Sequence, residues 1–200
     1  NKVADFVDSP RLFRVFRESE KWSKRIEVEN AADLNNAIKR GKGGELIRIC
    51  EAQQEKTIAK IADDISEHRD GIRLILIAGP SSSGKTSFAQ RLRVQLMVNG
   101  LKPISISMDN YFLNREEIPL NEDGKRDMES IDVIDIELFN EHLTQIIQGQ
   151  EVEIPYYNFE TGVREYNGNT IKIGKEQPII VEGIHGLNEK LTAMIPKPNK

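Results

Sequence analysis

IRLILIAGPSSSGKTS, running from Ile72 to Ser87, is the stretch on which the fold turns. Its first half is a short unbroken apolar run, the signature of a parallel strand buried on both faces. Its second half contains Gly79, Pro80, Ser81, Ser82, Ser83, Gly84, Lys85, Thr86 and Ser87. These satisfy the pattern G-x-x-x-x-G-K-[ST] between a strand and a helix, the context that pattern requires. Glycines let the main chain close on phosphate oxygens, and successive N–H groups pointing inward form an anion nest. The following helix adds the positive end of its dipole. Lys85 has the reach for β- and γ-phosphates, and the Thr86 hydroxyl suits Mg²⁺. Residues 79–87 are therefore read as a nucleotide-binding loop.

Downstream the grammar stays α/β. An amphipathic helix runs through Leu92, Leu96 and Met97 to an end near Gly100, and "PISISM" makes a second strand. A turn-rich polar loop spans Asn114 to Asp127. Asp135 can cap a helix whose apolar face is Phe139, Leu143, Ile146 and Ile147, with Gly149 at its end. Residues 151–173 alternate as an antiparallel excursion turning at Thr161-Gly162, and "PIIVEG" is another buried strand. Strands alternating with helices predict a mostly parallel, doubly wound sheet with helices on both faces, in short a P-loop NTPase fold.

Upstream of Gly71 the pattern is helical. Ser9-Pro10 is a helix start, with Leu12, Phe13 and Phe16 on one side. Leu34 and Ile38 mark a second helix ending near Gly41. A longer one carries Leu46, Ile49, Ile58, Ile61, Ala62 and Ile65. The expected division is a helical segment over 1–70 and a P-loop domain over 71–200. The lone cysteine, Cys50, stands among Leu46, Ile47 and Ile49 and reads as core on a helix face; it excludes an internal disulfide.

Net charge is −4, with 14 basic and 14 acidic residues through Asp70, and no segment is strongly basic. The few aromatics are not interleaved with Lys or Arg, so a nucleic-acid partner is not expected. No apolar run approaches membrane-spanning length and the first residues are polar, so a soluble, cytoplasmic protein is expected. The sequence leaves open the oligomeric state, a homo-oligomer included.

Two strand ends carry acids: Asp109 after "SISM" and Glu182 within "IIVEG". Carboxyl ends of strands in a doubly wound sheet face the ligand crevice. A switch or motor needs one such acid at the metal. A kinase needs a second, to take the proton of the acceptor hydroxyl. Asp109 leads into "NYFLNR", where Tyr111 and Phe112 are candidates for an aromatic wall beside a flat substrate; packing into the core is the alternative. Asp109 is read as the base and Glu182 as the metal-side acid. His185, three residues beyond Glu182, is a candidate for touching substrate or phosphate, whereas His68 and His142 read as surface.

In order and spacing, "GPSSSGKTS", "MDNYF", "PYYNFETGVRE" and "VEGIHGLN" resemble the uridine kinase and phosphoribulokinase family of P-loop kinases. Within it, the chain is similar to a longer bacterial subgroup in which threonyl-tRNA-synthetase-like regions precede the kinase domain. The resemblance implies that Lys85 and Thr86 serve ATP and Mg²⁺, that Asp109 activates a nucleoside 5′-hydroxyl, and that Glu182 supports the metal. It also implies Glu129 near the sugar hydroxyls, where the family more often has Asp, and Tyr157 in the base pocket. Asn158 stands where the family has Asp, and Gly162 where pyrimidine kinases commonly have a base-reading His. The family continues with another strand and an Arg-bearing lid. Arg91, Arg115, Arg126 and Arg164 fall outside the matching segment, and the chain opens on Asn1 and ends at "IPKPNK", so either a piece of a longer kinase or a catalytically weak form is expected.

The function expected is ATP-dependent phosphorylation of a uridine- or cytidine-like nucleoside. A nucleotide-binding regulatory or interaction module without small-molecule kinase activity is the alternative. The chain lacks the N-K-x-D motif of a GTPase and the L-S-G-G-Q-like signature of a transport ATPase. Pantothenate kinase and phosphoribulokinase share the loop, and "PYYNF" favours the uridine-kinase side.

Overall fold

The computed structural model describes residues 10–174 and 176–192. Ser9, the side chain of Leu12 and the closing "IPKPNK" lie outside the described residues. The chain forms two compact units, 1–55 and 56–200.

The first unit is helical. Helix α1 (Pro10–Arg25) starts on a proline, whose missing N–H costs nothing there. Helix α2 (Ala31–Lys39) begins with a capping box: the Asn30 side chain accepts from the N–H groups of Ala32 and Asp33, and Asp33 accepts in return from the Asn30 N–H. Helix α3 (Gly43–Glu67) runs through the boundary between the units. Cys50, expected in a core, is exposed. Its apolar neighbours Ile47 and Ile49 are themselves 61% and 38% exposed, so this stretch of α3 does not form a core face around it.

The second unit begins at Lys56 because Ile58 and Ala62 of α3 are fully buried in its core, upstream of the change of sequence grammar at Ile72. Strand β1 (Leu74–Ala78) leads through the glycine-rich loop into α4 (Lys85–Val98) and on to β2 (Ile104–Ser107). After a long loop comes α5 (Ile136–Ile147), whose first turn is capped by Asp135 accepting from the Leu138 N–H at 3.0 Å. The predicted antiparallel excursion is two small pairs: β3 (Val152–Glu153) with β6 (Thr170–Ile171), and β4 (Tyr156–Asn158) with β5 (Val163–Glu165). Strand β7 (Ile179–Gly183) then inserts between β1 and β2, parallel to both.

Strand alternation explains the layers. Leu74, Ile106, Ile179 and Val181 bury one face of the sheet against Phe139, Leu143 and Ile146 of α5. Ile77 and Ile180 bury the other against Ala89, Leu92 and Leu96 of α4 with Ile58 and Ala62 of α3. Side chains two residues apart on a strand share a face, so the unbroken apolar runs in β1 and β7 feed both cores. Among the described residues no helix is long and apolar enough to cross a membrane.

Candidate active site

The site stands at the carboxyl ends of three adjacent parallel strands. Glu182 of β7 lies opposite Ile77 of β1 and Ser107 of β2, so the phosphate loop that follows β1 and the turn that follows β2 flank it. The loop turns into α4 at Gly84, whose φ of +88° is the left-handed conformation that glycine adopts without penalty. Ser82 shares that region at φ +57°, a strain of the kind functional loops store. Lys85 Nζ donates to the Pro80 carbonyl at 2.9 Å, which curls the ammonium over the loop.

Thr86 Oγ1 donates to Glu182, with both carboxylate oxygens at 2.9 Å. Two hard oxygen donors held together at the end of the sheet fit Mg²⁺, which prefers a few protein oxygens and keeps its remaining positions for water and phosphate.

Asp109 sits one residue into a 3₁₀ turn (Met108–Tyr111) directly after β2. Burial pushes its carboxyl above the usual carboxylate range, Glu182 pushes it further, and Lys85 opposes both. All three predicted residues therefore share one electrostatic environment. Gly183, beside Glu182, allows a close approach by the Met108 side chain of the same 3₁₀ turn, 2.7 Å from where a Cβ would stand.

The aromatic wall is a correction. Tyr111 and Phe112 are 1% and 5% exposed and belong to the core. Tyr111 meets Phe139 edge-on with centroids 5.0 Å apart, and its hydroxyl is hydrogen-bonded to His142 Nδ1 at 3.2 Å. Burial raises the Tyr111 pKa and lowers that of His142, so both stay neutral at pH 7. His142 is thus buried rather than at the surface. Its position three residues after Phe139, on the face shared with Leu143 and Ile146, was the signal that could have placed it. Tyr111→Phe is expected to cost about 1–2 kcal/mol by leaving His142 without its partner, which thermal melts check.

Phe112 packs on Tyr157 and Phe159, centroids 5.4 and 5.8 Å away. Tyr157 is 1% exposed, and its hydroxyl has no hydrogen-bond partner. Phe159 is 55% exposed at the β4–β5 turn. In that turn a side chain on Gly162 would meet Arg115 Nε and Cζ at 2.7 and 2.8 Å, and φ is +73°. Arg115 therefore fills the space a residue there would use, held by its N–H on the Gly162 carbonyl and by Nη2 on the Phe159 carbonyl. Arg164 is engaged with Asp135 at 2.9 Å, both partly buried. His68 is exposed, as read.

Glu129 is exposed, and its carbonyl accepts from His185 Nε2 at 2.9 Å. Sequence reasoning placed both residues near the site without seeing that they touch. The turn bearing His185 is tight against β1: a Cβ on Gly186 would lie 2.7 Å from the Ile77 carbonyl oxygen, an atom fixed in the sheet. Gly186→Ala is accordingly expected to destabilise by about 1–3 kcal/mol, the cost of overpacking, read as a lower urea midpoint at unchanged slope.

A profile of the phosphoribulokinase/uridine kinase family matches residues 74–195, from β1 past the turn after β7. The chain belongs to the phosphoribulokinase/uridine kinase family. Relatives bear this out at moderate identity. This family member is 34% identical over 111 residues to a uridine kinase of Chloroflexus aurantiacus, covering 56% of the chain and 51% of that protein. It is 32% identical over 120 residues to uridine-cytidine kinase C of Dictyostelium discoideum, covering 60% of the chain and 24% of that protein. It is also 32% identical over 132 residues to inorganic pyrophosphatase TTM2 of Arabidopsis thaliana, covering 66% of the chain and 18% of that protein. The chain thus spans about half the length of the uridine kinase it matches and a quarter or less of the other two. A crystal structure described as a fructose transport system kinase from Silicibacter sp. TM1040 superposes with TM-score 0.51 at 20% identity, covering 63% of this chain and 62% of that one. At that identity the likeness concerns the P-loop kinase fold.

Proposed function

We propose that the protein transfers the γ-phosphoryl group of ATP to the 5′-hydroxyl of a nucleoside, uridine- or cytidine-like in kind. The observation that carries this reading is the second acid. Asp109 is half-buried and raised in pKa beside both Glu182 and Lys85, which is where a base for an acceptor hydroxyl belongs and where a phosphate switch has no use for one. Asp109 takes the hydroxyl proton as the oxygen bonds to the γ-phosphorus, while the bond to the bridging oxygen breaks and ADP leaves. Residues 79–87 hold the phosphates through backbone N–H groups, with Lys85 on the β- and γ-oxygens. Thr86 and Glu182 hold Mg²⁺, which neutralises charge on the phosphate oxygens.

On the acceptor side, the exposed Glu129 carboxylate takes the sugar hydroxyls; Tyr157, expected in the base pocket, is 1% exposed in the same core as Tyr111 and Phe112 and backs that side without contacting the base. All of these residues lie in the sheet-bearing unit, 56–200, and all of them beyond residue 70. The test is a panel of acceptors with labelled ATP: uridine, cytidine, purine nucleosides, pantothenate and ribulose 5-phosphate. Transfer to a pyrimidine nucleoside supports the reading, and transfer confined to pantothenate or ribulose 5-phosphate replaces its substrate.

A further inference from the structure

We propose that His185 is a positioning residue, a latch that fixes loop 116–129 to the turn following β7 and thereby holds the acceptor side of the site in register with its metal side. The role given to the loop rests on the kinase reading above; the latch itself is read from contacts alone.

The loop has little else to hold it. Its polar contacts are short-range. The Asn114 N–H donates to Glu117, and the Asn121 side chain accepts from the N–H groups of Asp123 and Lys125. The Asn121 N–H donates to the Lys125 carbonyl, and the Glu129 N–H donates to Asp127 Oδ1 at 2.9 Å. Two apolar anchors, Ile118 and Met128, reach the core. Among the described residues, the bond from His185 Nε2 to the Glu129 carbonyl, across 56 positions, is the single long-range hydrogen bond made by residues 116–129. A loop with exposed, mostly local hydrogen bonds is the kind that opens at low free-energy cost, so one fixed tie carries weight.

The other end of the tie is rigid. His185 lies in a turn closed by the Gly186 N–H on the Gly183 carbonyl and the Asn188 N–H on the His185 carbonyl at 2.7 Å. Gly186 packs that turn onto the Ile77 carbonyl. Glu182, the metal-side acid, is three residues back on the same strand end. A carbonyl oxygen only accepts, so Nε2 carries the hydrogen, and it donates from the neutral Nε2–H tautomer and from the imidazolium alike. The latch therefore holds whatever the charge on the ring. Through it, the main chain at Glu129 keeps a fixed offset from the strand end that carries Glu182. Small displacements of a positioned group are costly in catalysis, on the order of a hundredfold for 1 Å.

The experiment compares His185→Phe with His185→Gln, the latter retaining an N–H donor at similar reach. In His185→Phe the KM for the nucleoside is expected to rise by about tenfold or more, with the KM for ATP unchanged. Amide hydrogen exchange across 116–129 is expected to quicken. His185→Gln should restore both toward wild type. The proposal is overturned if exchange in 116–129 and the acceptor KM stay at wild-type values in His185→Phe. It is overturned equally if ATP and acceptor parameters fall together while loop exchange is unmoved, since the imidazole then acts on phosphate directly. Should the wild-type protein phosphorylate no nucleoside, the kinase reading fails, and the exchange measurement still decides the latch.

Discussion

Asp109→Asn is expected to lower kcat by about 10²–10⁴-fold, the usual contribution of a positioned general base, while ATP binding survives. The amide keeps the shape of the side chain and removes the proton acceptor. The same substitution should change stability with a definite sign. In the folded protein the Asp109 carboxyl is raised, by burial first and by Glu182 second. A carboxyl raised on folding contributes stability that is fully present below its unfolded pKa and is lost as pH climbs through the folded one. The metal-free Asn variant, which cannot ionise there, should therefore gain on wild type over that interval and keep the gain at neutral pH. Catalysis runs the other way: wild-type kcat/KM should rise with pH through the elevated pKa, because only the carboxylate accepts a proton. Melting curves against pH, beside the pH–rate profile, check both. A variant that retains full turnover, or one less stable than wild type at pH 7, contradicts the assignment.

Glu182→Ala carries the second large effect. Removing this acid strips Thr86 Oγ1 of its acceptor and, on the proposed reading, the metal of its carboxylate. A fall in kcat of about 10²–10³-fold is expected, the loss associated with one preorganised electrostatic group, together with a higher Mg²⁺ concentration for half-maximal activity. Glu182 also raises the Asp109 pKa, so the acid limb of the residual activity should move to lower pH. That shift separates an electrostatic neighbour from a distant residue whose loss merely loosens the fold. A profile left in place, with the Mg²⁺ requirement unchanged, would remove Glu182 from the site.

What was legible in the sequence is what chemistry restricts to few residue types. The 79–87 loop tolerates little but Gly, Lys and Ser or Thr at its key positions, and a strand buried on both faces has no alternative to an unbroken apolar run. The Asp135 cap, the Gly149 stop and the Thr161-Gly162 turn were read correctly for the same reason: each satisfies a local backbone demand. Residues that admit two environments were misread or left open. His142 is polar, and its type outweighed its position on the apolar face of α5. Tyr111 and Phe112 follow Asp109 closely in the chain, where an aromatic fits a pocket wall and a core equally well; the His142 ring settles Tyr111 inward. Cys50 shows the converse, apolar spacing that forms no core face around it. The His185–Glu129 contact joins two irregular segments, and no periodicity records a bond between loops.

The most direct test of the central claim is the fate of the γ-phosphate, followed by ³¹P NMR with the protein, Mg²⁺, ATP and uridine or cytidine. The account predicts a nucleoside 5′-monophosphate resonance growing in step with ADP, with little inorganic phosphate, and its loss in Asp109→Asn. Inorganic phosphate growing in step with ADP, at the same rate with and without the nucleoside, would contradict it.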